Sequence, residues 1–260
     1  MEHAAGKRHD KHIAIAGLGL FVLAGAGQFA ARNIDGFGRW YSVHIYSAIV
    51  AVVGRICGLA PVSVAEFGIY ALIVLSIWYV VRRRKAWTSI AARAVFVIGA
   101  AAFLYTYNCG INYYRPPFSS QLDLKTGESS VEELRNLCEY LTEKVNETAC
   151  DSTYEGEWAV WGRDAMNKLG ETYPDLSGYY PRAKPVTVSW ILSVQQLSGI
   201  YSPFTVEGNY NRDMTDYNIP HTICHELSHL RGFMREDEAN FIGYLACIGS
   251  EKEVFRYSGY

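Results

Sequence analysis

The chain has 260 residues, of which 50% are hydrophobic and 14% aromatic, and its formal net charge at pH 7 is -2. This composition excludes an intrinsically disordered protein, and the near-neutral charge gives no overall basis for binding nucleic acid. The length is sufficient for one substantial domain and a smaller one. Apolar residues dominate the first third, whereas the chain from Gly110 onward has the composition of a soluble domain.

Three apolar segments are long enough to cross a bilayer as helices, which takes about 20 residues. The first is residues 13–31, where 19 residues carry no charge, and the others are about 62–81 and 94–114. A cleaved signal peptide is the alternative interpretation of the first segment. The later apolar segments favour a retained anchor.

Basic residues predict the orientation of these segments. Between the second and third lie no acidic residues and five basic ones, Arg82, Arg83, Arg84, Lys85 and Arg93. The positive-inside rule puts this loop and the basic N-terminus in the cytoplasm. Three crossings then leave everything after Tyr114 outside the cytoplasm.

A fourth apolar segment, about residues 41–59, tests this count. Arg55 and two glycines interrupt it, and a crossing here would move the basic loop out of the cytoplasm. Its apolar residues recur at three- to four-residue spacing, namely Ile45, Ile49, Val52 and Ile56. We therefore expect an interfacial or re-entrant amphipathic helix.

The remaining residues, 115–260, contain signals for helices and for a strand. Ser130 and Glu133 match a capping box at the start of an amphipathic helix, and a second helix is expected from Trp158 to Leu169. Residues 200–211 have the composition of a strand or hairpin, with Gly208 as a turn or bulge. The six cysteines form no CxxC pair, which argues against a cysteine zinc site, while a disulfide between residues 138 and 150 is left open.

Residues 225–229, His-Glu-Leu-Ser-His, carry the strongest chemical signal. Pro220 and Gly232 are typical of the start and end of a helix around them. Histidines four residues apart lie on one helical face, about 6 Å apart at Cβ, so both can bind one ion. Glu226 lies about 100° around the helix, where it can take a proton from a metal-bound water. HExxH therefore predicts a catalytic zinc site.

A catalytic zinc needs a third protein ligand and an open position for water. No histidine follows His229, so the nearest candidates are the carboxylates of residues 236–238. Glu236 is favoured, since Asn240 shares its helical face and can orient a ligand histidine. Glu238 is the second choice.

Residues 236–240, Glu-Asp-Glu-Ala-Asn, resemble the E-x-x-A-D/N signature that follows HExxH in gluzincin metallopeptidases. The resemblance implies a ligand role for Glu236, although the spacing from His229 is short for that group and leaves Glu238 open. It also implies an α+β, mainly helical zincin-like domain with a small mixed sheet on the HExxH helix. An edge strand, for which 201–211 is the candidate, would hold an extended substrate by main-chain hydrogen bonds.

A closer resemblance is to an uncharacterised family of bacterial multi-span membrane proteins with a zincin-like domain. The shared stretches are residues 112–117 (NYYRPP), 201–205 (YSPFT), 224–247 and 256–260 (RYSGY). This resemblance implies the bacterial cytoplasmic membrane as the location. Members of that family usually continue further, so a C-terminal helical part is expected to be missing after Tyr260.

An additional group should stabilise the oxyanion of a tetrahedral intermediate. His221 lies one turn before His225 on the same face and is one candidate, although a partly exposed first-turn histidine explains it equally well. Tyr201, Tyr210 and Tyr217 are others that the sequence does not rank.

We therefore predict a membrane-anchored zinc metallopeptidase that hydrolyses peptide bonds, with Glu226 as general base. Zn²⁺ is the expected cofactor, peptides or proteins the substrates and the lipid bilayer a partner, with no nucleic acid. The alternative is a non-catalytic zinc-binding membrane sensor or scaffold that keeps a zincin fold. Glu226 argues against that alternative, because a purely structural zinc site does not need it.

Overall fold

The computed structural model describes residues 2–122, 127–150 and 157–260. The first part contains α1 (Glu2–Asn33), α2 (Phe37–Tyr41), α3 (Ser47–Gly58), α4 (Val64–Arg82) and α5 (Trp87–Asn108), and a π-helical turn, Ser42–Tyr46, joins α2 to α3. The second contains α6 (Val131–Thr148), α7 (Trp158–Thr172), α8 (Trp190–Val194), α9 (Ile219–His229), α10 (Glu236–Ile248) and α11 (Glu253–Gly259). Its strands are β1 (Lys184–Pro185), β2 (Gly199–Ser202) and β3 (Glu207–Tyr210).

Four helices among the described residues are long and apolar enough to cross a membrane, which indicates association with a bilayer. Three of them contain most of the segments predicted as spans. The fourth, Phe37–Gly58, includes the segment expected to be interfacial, and it forms one continuous helix. Arg55 does not interrupt it, because its guanidinium donates to the carbonyl of Ala51 (2.7 Å) and lies 4.2 Å from the Tyr179 ring centre.

Helices α1 and α5 pack side by side and run in the same direction. Near their first turns Arg93 donates to the carboxylate of Asp10 (2.9 Å), and near their ends Arg32 donates to the hydroxyl of Tyr114 (2.6 Å). Midway, a Cβ added at Gly99 would lie 2.8 Å from the carbonyl carbon of Gly17. Glycine at both positions therefore permits the close approach of the two backbones.

Helix α4 runs the opposite way. At its start Ser63 accepts from the amide of Glu66, as an N-cap does, and at its end Arg93 of α5 lies 5.0 Å from the Tyr79 ring centre. The carboxylate of Glu66 accepts from the amides of Thr187 (2.7 Å) and Val188 (2.9 Å). The start of α4 therefore contacts the same C-terminal region that follows α5.

The helix formed by α2, the π-helical turn and α3 lies against this C-terminal region along its length. Arg39, near its start, forms an ion pair with Asp175 (3.3 Å), and Arg55, near its end, lies over Tyr179. Between them Tyr46 and Val50 are fully buried in the core shared with α9. Both ends of this helix are therefore on the side of the molecule where the C-terminal region sits.

The sheet has three short strands in the order β1-β3-β2, with β1 parallel and β2 antiparallel to β3. The predicted hairpin is confirmed, and the sheet is small and mixed. The prediction that Gly208 forms a turn or bulge is wrong. Gly208 lies in β3 and pairs with Tyr201 of β2, whereas the turn lies at residues 203–206, where Val206 has φ 54°. Glycine is needed at 208 because its face meets the Cβ of Glu226 at close range.

Helix α6 has the predicted N-terminal cap, but its apolar side is not buried. Ser130 and Glu133 form the capping box, with both reciprocal hydrogen bonds present. No residue of α6 is buried, and Leu134 and Leu137 of its apolar stripe are 58% and 50% exposed. Cys138 is also exposed there and forms no disulfide.

Candidate metal centre

Helix α9, which carries the HExxH residues, is the most deeply packed helix of the C-terminal region. Pro220 occupies its first turn, and the side chains of Ile223 and Leu227 are fully buried in the core. Helix α10 crosses it closely at Gly243, where an added Cβ would lie 3.2 Å from the amide nitrogen of His225. This approach brings the acidic start of α10 beside the two histidines.

The imidazoles of His225 and His229 are both held through Nδ1. His229 Nδ1 lies 2.7 Å from the carbonyl oxygen of Phe233, and His225 Nδ1 lies 2.8 Å from the side-chain oxygen of Asn240. Because both partners are acceptors, Nδ1 donates in each ring, and Nε2 is the nitrogen left to bind a metal ion. A neutral imidazole of this kind is the form that binds a metal ion.

Both free Nε2 atoms face the carboxylate of Glu236. Its oxygens lie 3.1 Å from His225 Nε2 and 3.9 Å from His229 Nε2. The three residues offer ligand atoms that all lie within 4.8 Å of one another. This is the geometry of two histidines and one carboxylate around a common point.

Glu238, the second candidate for the third ligand, points elsewhere. Its carboxylate accepts from the hydroxyl (2.8 Å) and the amide (3.1 Å) of Ser119, and its residue is only 7% exposed. Glu236, in contrast, has a side chain that is 75% exposed. The structure therefore brings Glu236, and not Glu238, to the two histidines.

Glu226 is buried beside this cluster with one oxygen unused. The residue is 4% exposed, and its Oε2 has no hydrogen-bond partner among the described residues. Burial, and then the charge of Glu236, raise the pKa of Glu226 well above its usual value of 4.5. An orphaned buried oxygen of this kind calls for an explanation, and a water bound to a neighbouring metal ion would provide its partner.

Two glycines of the sheet make room for Glu226. An added Cβ at Gly199 would overlap its Oε1 and lie 2.8 Å from its Cγ, and one at Gly208 would lie 3.1 Å from its Cβ. Any side chain at these positions would push against the carboxylate. The hairpin and the HExxH helix are therefore matched to each other at the site.

Burial lowers the pKa of two histidines of α9, His229 and His221. Burial, with the neighbouring His225, lowers the pKa of His229 to about 4, so this ring is neutral near pH 7. Burial also lowers the pKa of His221. His221 Nε2 lies 3.2 Å from the carbonyl of Asn240, which holds this ring against α10 and leaves it outside the group of ligand atoms.

The three tyrosines considered for oxyanion binding lie in different places. Tyr201 borders the site, with its ring centre 5.8 Å from that of His229, but its hydroxyl donates to the carbonyl of Asn108 (2.9 Å). Tyr210 is buried in the core, and Tyr217 is 45% exposed beside Tyr257. Neither Tyr210 nor Tyr217 lines the cleft that contains Glu226.

That cleft has a volume of about 360 Å³ and contains three residues that sequence reasoning missed. Tyr105, Cys109 and Tyr113 come from the end of α5 and the turn after it, and they form one wall. Residues 197, 199–201 and 203 also line the cleft, and three of them belong to the edge strand β2. A tyrosine-rich end of an apolar segment is typical of a membrane interface, and only the fold shows that this end lines the cleft with the histidines.

Buried arginines hold the loop between α9 and α10 in place. Arg115 lies with its guanidinium 3.9 Å from the Phe233 ring centre, donates to the Arg231 carbonyl and forms an ion pair with Asp175 (2.8 Å). Arg231 donates to the carbonyls of Ser177 and Tyr179. The loop that carries the Phe233 carbonyl is therefore held by two buried arginines.

A family model described as "Protein of unknown function (DUF3810)" matches residues 41–260. The chain belongs to this family. Its membership accounts for the resemblance to an uncharacterised group of proteins. The matched residues include the whole candidate metal centre, two of the four apolar helices and most of the helix Phe37–Gly58. Searches of curated proteins and of solved structures found no match for this DUF3810 member.

Proposed function

We propose that the protein is a membrane-anchored metallopeptidase that hydrolyses peptide bonds at a zinc ion held by His225, His229 and Glu236. The observation that carries the proposal is the pair of Nε2 atoms directed at the Glu236 carboxylate, beside a buried glutamate with an unpartnered oxygen. Two histidines, one carboxylate and an open position form the donor set of a catalytic zinc site. The residues present therefore fit the ion.

Each residue has a separate role in the proposed reaction. A bound zinc ion would lower the pKa of its water to about 7 and polarise the substrate carbonyl. Glu226 takes the proton of the attacking water at its unused oxygen and passes it to the leaving amine. Asn240 and the carbonyl of Phe233 orient both imidazoles. The edge strand β2 holds the peptide in an extended form across the cleft.

Tyr113 is our candidate for the oxyanion donor in place of the residues expected from the sequence. It lines the cleft and is 48% exposed, so a substrate can reach it. The Tyr201 hydroxyl is already engaged with Asn108, and His221 is held by the Asn240 carbonyl. A phenol is a suitable group for this task, as it donates one hydrogen bond and stays neutral at pH 7.

We further propose that α1, α4 and α5 cross the bilayer and that the helix Phe37–Gly58 does not. This follows from parity: α1 ends, and α4 begins, on the side of the C-terminal region, so the segment between them crosses an even number of times. The contacts of Arg39 and Arg55 with residues 175 and 179 support its lying along the domain. The positive-inside rule then puts the basic loop after α4 in the cytoplasm, so the metal centre lies on the extracytoplasmic side.

The test is metal analysis of the purified full chain together with peptide hydrolysis. We expect about one zinc ion per chain, as a single mononuclear site requires. Glu226→Gln should keep the metal and lose at least about a hundredfold in turnover, the contribution of a general base. Glu236→Ala should lose the metal, whereas the matched variant Glu238→Ala should keep it.

Three results would contradict parts of this proposal. Unchanged turnover in Glu226→Gln would remove Glu226 as the base. Loss of metal in Glu238→Ala alone would overturn the choice of ligand. Stoichiometric zinc in a chain that hydrolyses no peptide of a broad library would favour the sensor or scaffold.

A further inference from the structure

No other stretch of the C-terminal sequence is as long without a charged residue as the segment between Lys184 and Glu207. Its 22 residues, 185–206, include no Asp, Glu, Lys or Arg. Several of its large apolar side chains are exposed: Trp190 60%, Val194 74%, Ile200 47% and Phe204 51%. Soluble proteins rarely expose a contiguous apolar surface of this kind unless something covers it.

This segment, which we call the apolar rim, lies between the ends of two candidate membrane helices. Its first residues hold the start of α4, through the amides of Thr187 and Val188 on Glu66. Its last residues hold the end of α5, where the side-chain amide of Asn108 donates to the Pro203 carbonyl (2.6 Å). The rim is thus at the level where these helices leave the bilayer.

The rim is also one wall of the cleft. Leu197, Gly199, Ile200, Tyr201 and Pro203 line it together with the residues from the end of α5. Since α5 is a candidate membrane helix, both walls of the cleft join the membrane part of the molecule directly. A peptide bound between them lies beside the bilayer surface.

We infer that the apolar rim inserts into the bilayer interface and that the substrates are peptide segments anchored in the same membrane. The part of this inference that concerns substrates rests on the proposed function, whereas the insertion of the rim does not. The occupant of the apolar surface is lipid, because the surface is charge-free, carries an exposed Trp and is hydrogen-bonded to the ends of two candidate membrane helices.

The first experiment measures insertion without using activity. The full chain is reconstituted in liposomes with ordinary or brominated acyl chains, and the emission of Trp190 is obtained as the difference between wild type and Trp190→Phe. We expect brominated lipid to quench this emission by about half or more, as for an indole at the interface. Emission of Trp190 that is equal in both lipids would overturn the insertion.

The second experiment measures the choice of substrate. A quenched fluorescent library of short peptides is offered to the reconstituted protein either free or carrying a palmitoyl chain. Anchoring alone raises the local concentration, so variants are compared on each form. Trp190→Asp with Val194→Asp should reduce cleavage of the palmitoylated library about fivefold or more, because charges withdraw the rim from lipid, and leave the free library unchanged.

Val131→Asp with Leu134→Asp is the matched control, since these side chains of α6 are 78% and 58% exposed and lie outside the rim. It should alter neither rate. Equal losses on both libraries in the rim variant, or no loss on either, would overturn the inference about substrates. If the wild type cleaves neither library, the proposed function fails, whereas the quenching experiment still decides whether the rim meets lipid.

Discussion

Two clusters of buried polar groups flank the small sheet, and they differ in how well their hydrogen bonds are satisfied. In one, which we call the junction, Lys184 and Glu207 form an ion pair (2.6 Å) with side chains 7% and 3% exposed. The other is the candidate metal centre around Glu226. Comparing them separates a cluster that builds the fold from one that is arranged for chemistry.

At the junction every strong hydrogen-bonding group has a partner. The ammonium of Lys184 also donates to the carbonyls of Cys57 (2.7 Å) and Val62 (3.0 Å), which uses all three of its protons. The second oxygen of Glu207 accepts from the amide of Ala65 (2.9 Å) at the start of α4. The junction therefore joins the sheet to the membrane helices and offers nothing to a ligand.

At the candidate metal centre, in contrast, not every hydrogen-bonding group has a partner. Both imidazoles direct Nε2 at the carboxylate of Glu236, and Glu226 keeps a buried oxygen without a partner among the described residues. Buried polar groups are almost always paired. This difference from the satisfied junction supports the proposed ion and its water.

The largest effect that we expect from breaking this contrast is at the junction. Lys184→Met should lower the free energy of unfolding by about 3–5 kcal/mol, since it leaves the buried carboxylate of Glu207 uncompensated. Equilibrium unfolding in mixed micelles measures it. Lys168→Met is the matched control, because Lys168 pairs with Glu251 at the surface and is 52% exposed, where such pairs contribute about 1 kcal/mol or less.

A second variant sharpens this prediction. Lys184→Met combined with Glu207→Gln removes both charges, so it should recover much of the lost stability. A single Lys184→Met variant as stable as wild type would mean that the ion pair does not join the sheet to α4.

Local sequence signals predicted the residues of the candidate metal centre better than those of the junction. The HExxH spacing, and Asn240 four residues after Glu236, follow helical geometry within each helix, and the close approach of α9 and α10 at Gly243 brings them together. The junction has no such signal, because Lys184 and Glu207 are 23 residues apart and meet the start of α4 more than 120 residues away. No periodicity contains that information.

The membrane part shows the same limit. Hydropathy identified the apolar segments, but it does not show that Arg55 of the helix Phe37–Gly58 lies over the Tyr179 ring of a distant loop. The wall of the cleft formed by Tyr105 and Tyr113 was likewise invisible, since an apolar span ending in tyrosines is typical of a membrane interface. Contacts between distant segments decided these features.

A smaller effect is expected where the sheet meets the centre. Gly199→Ala should place a methyl group against the Glu226 carboxylate and the Thr222 side chain. Overpacking of this kind costs about 1–3 kcal/mol, and the displaced carboxylate should also lower peptide hydrolysis. Gly127→Ala is the control, since a Cβ there meets nothing within 4 Å. Unaltered stability and hydrolysis in Gly199→Ala would show that the glycine does not set the position of Glu226.

The smallest effect has the opposite sign. In metal-free protein Glu226→Gln should raise the free energy of unfolding at pH 7 by about 1–2 kcal/mol, because it removes a buried carboxyl group whose ionised form has no partner among the described residues. Burial, and then Glu236, raise the pKa of Glu226 in the folded state, so the folded state binds more protons than the unfolded one above pH 4.5. Wild type should therefore lose stability from this group as the pH rises above that value.

Unfolding of chelator-treated wild type and Glu226→Gln across this pH range measures the difference, which should widen as the pH rises. A loss of stability on substitution would mean that the carboxylate is already satisfied, as Glu207 is at the junction. The two clusters would then be of one kind, and the case for a catalytic water beside Glu226 would rest on the HExxH spacing alone.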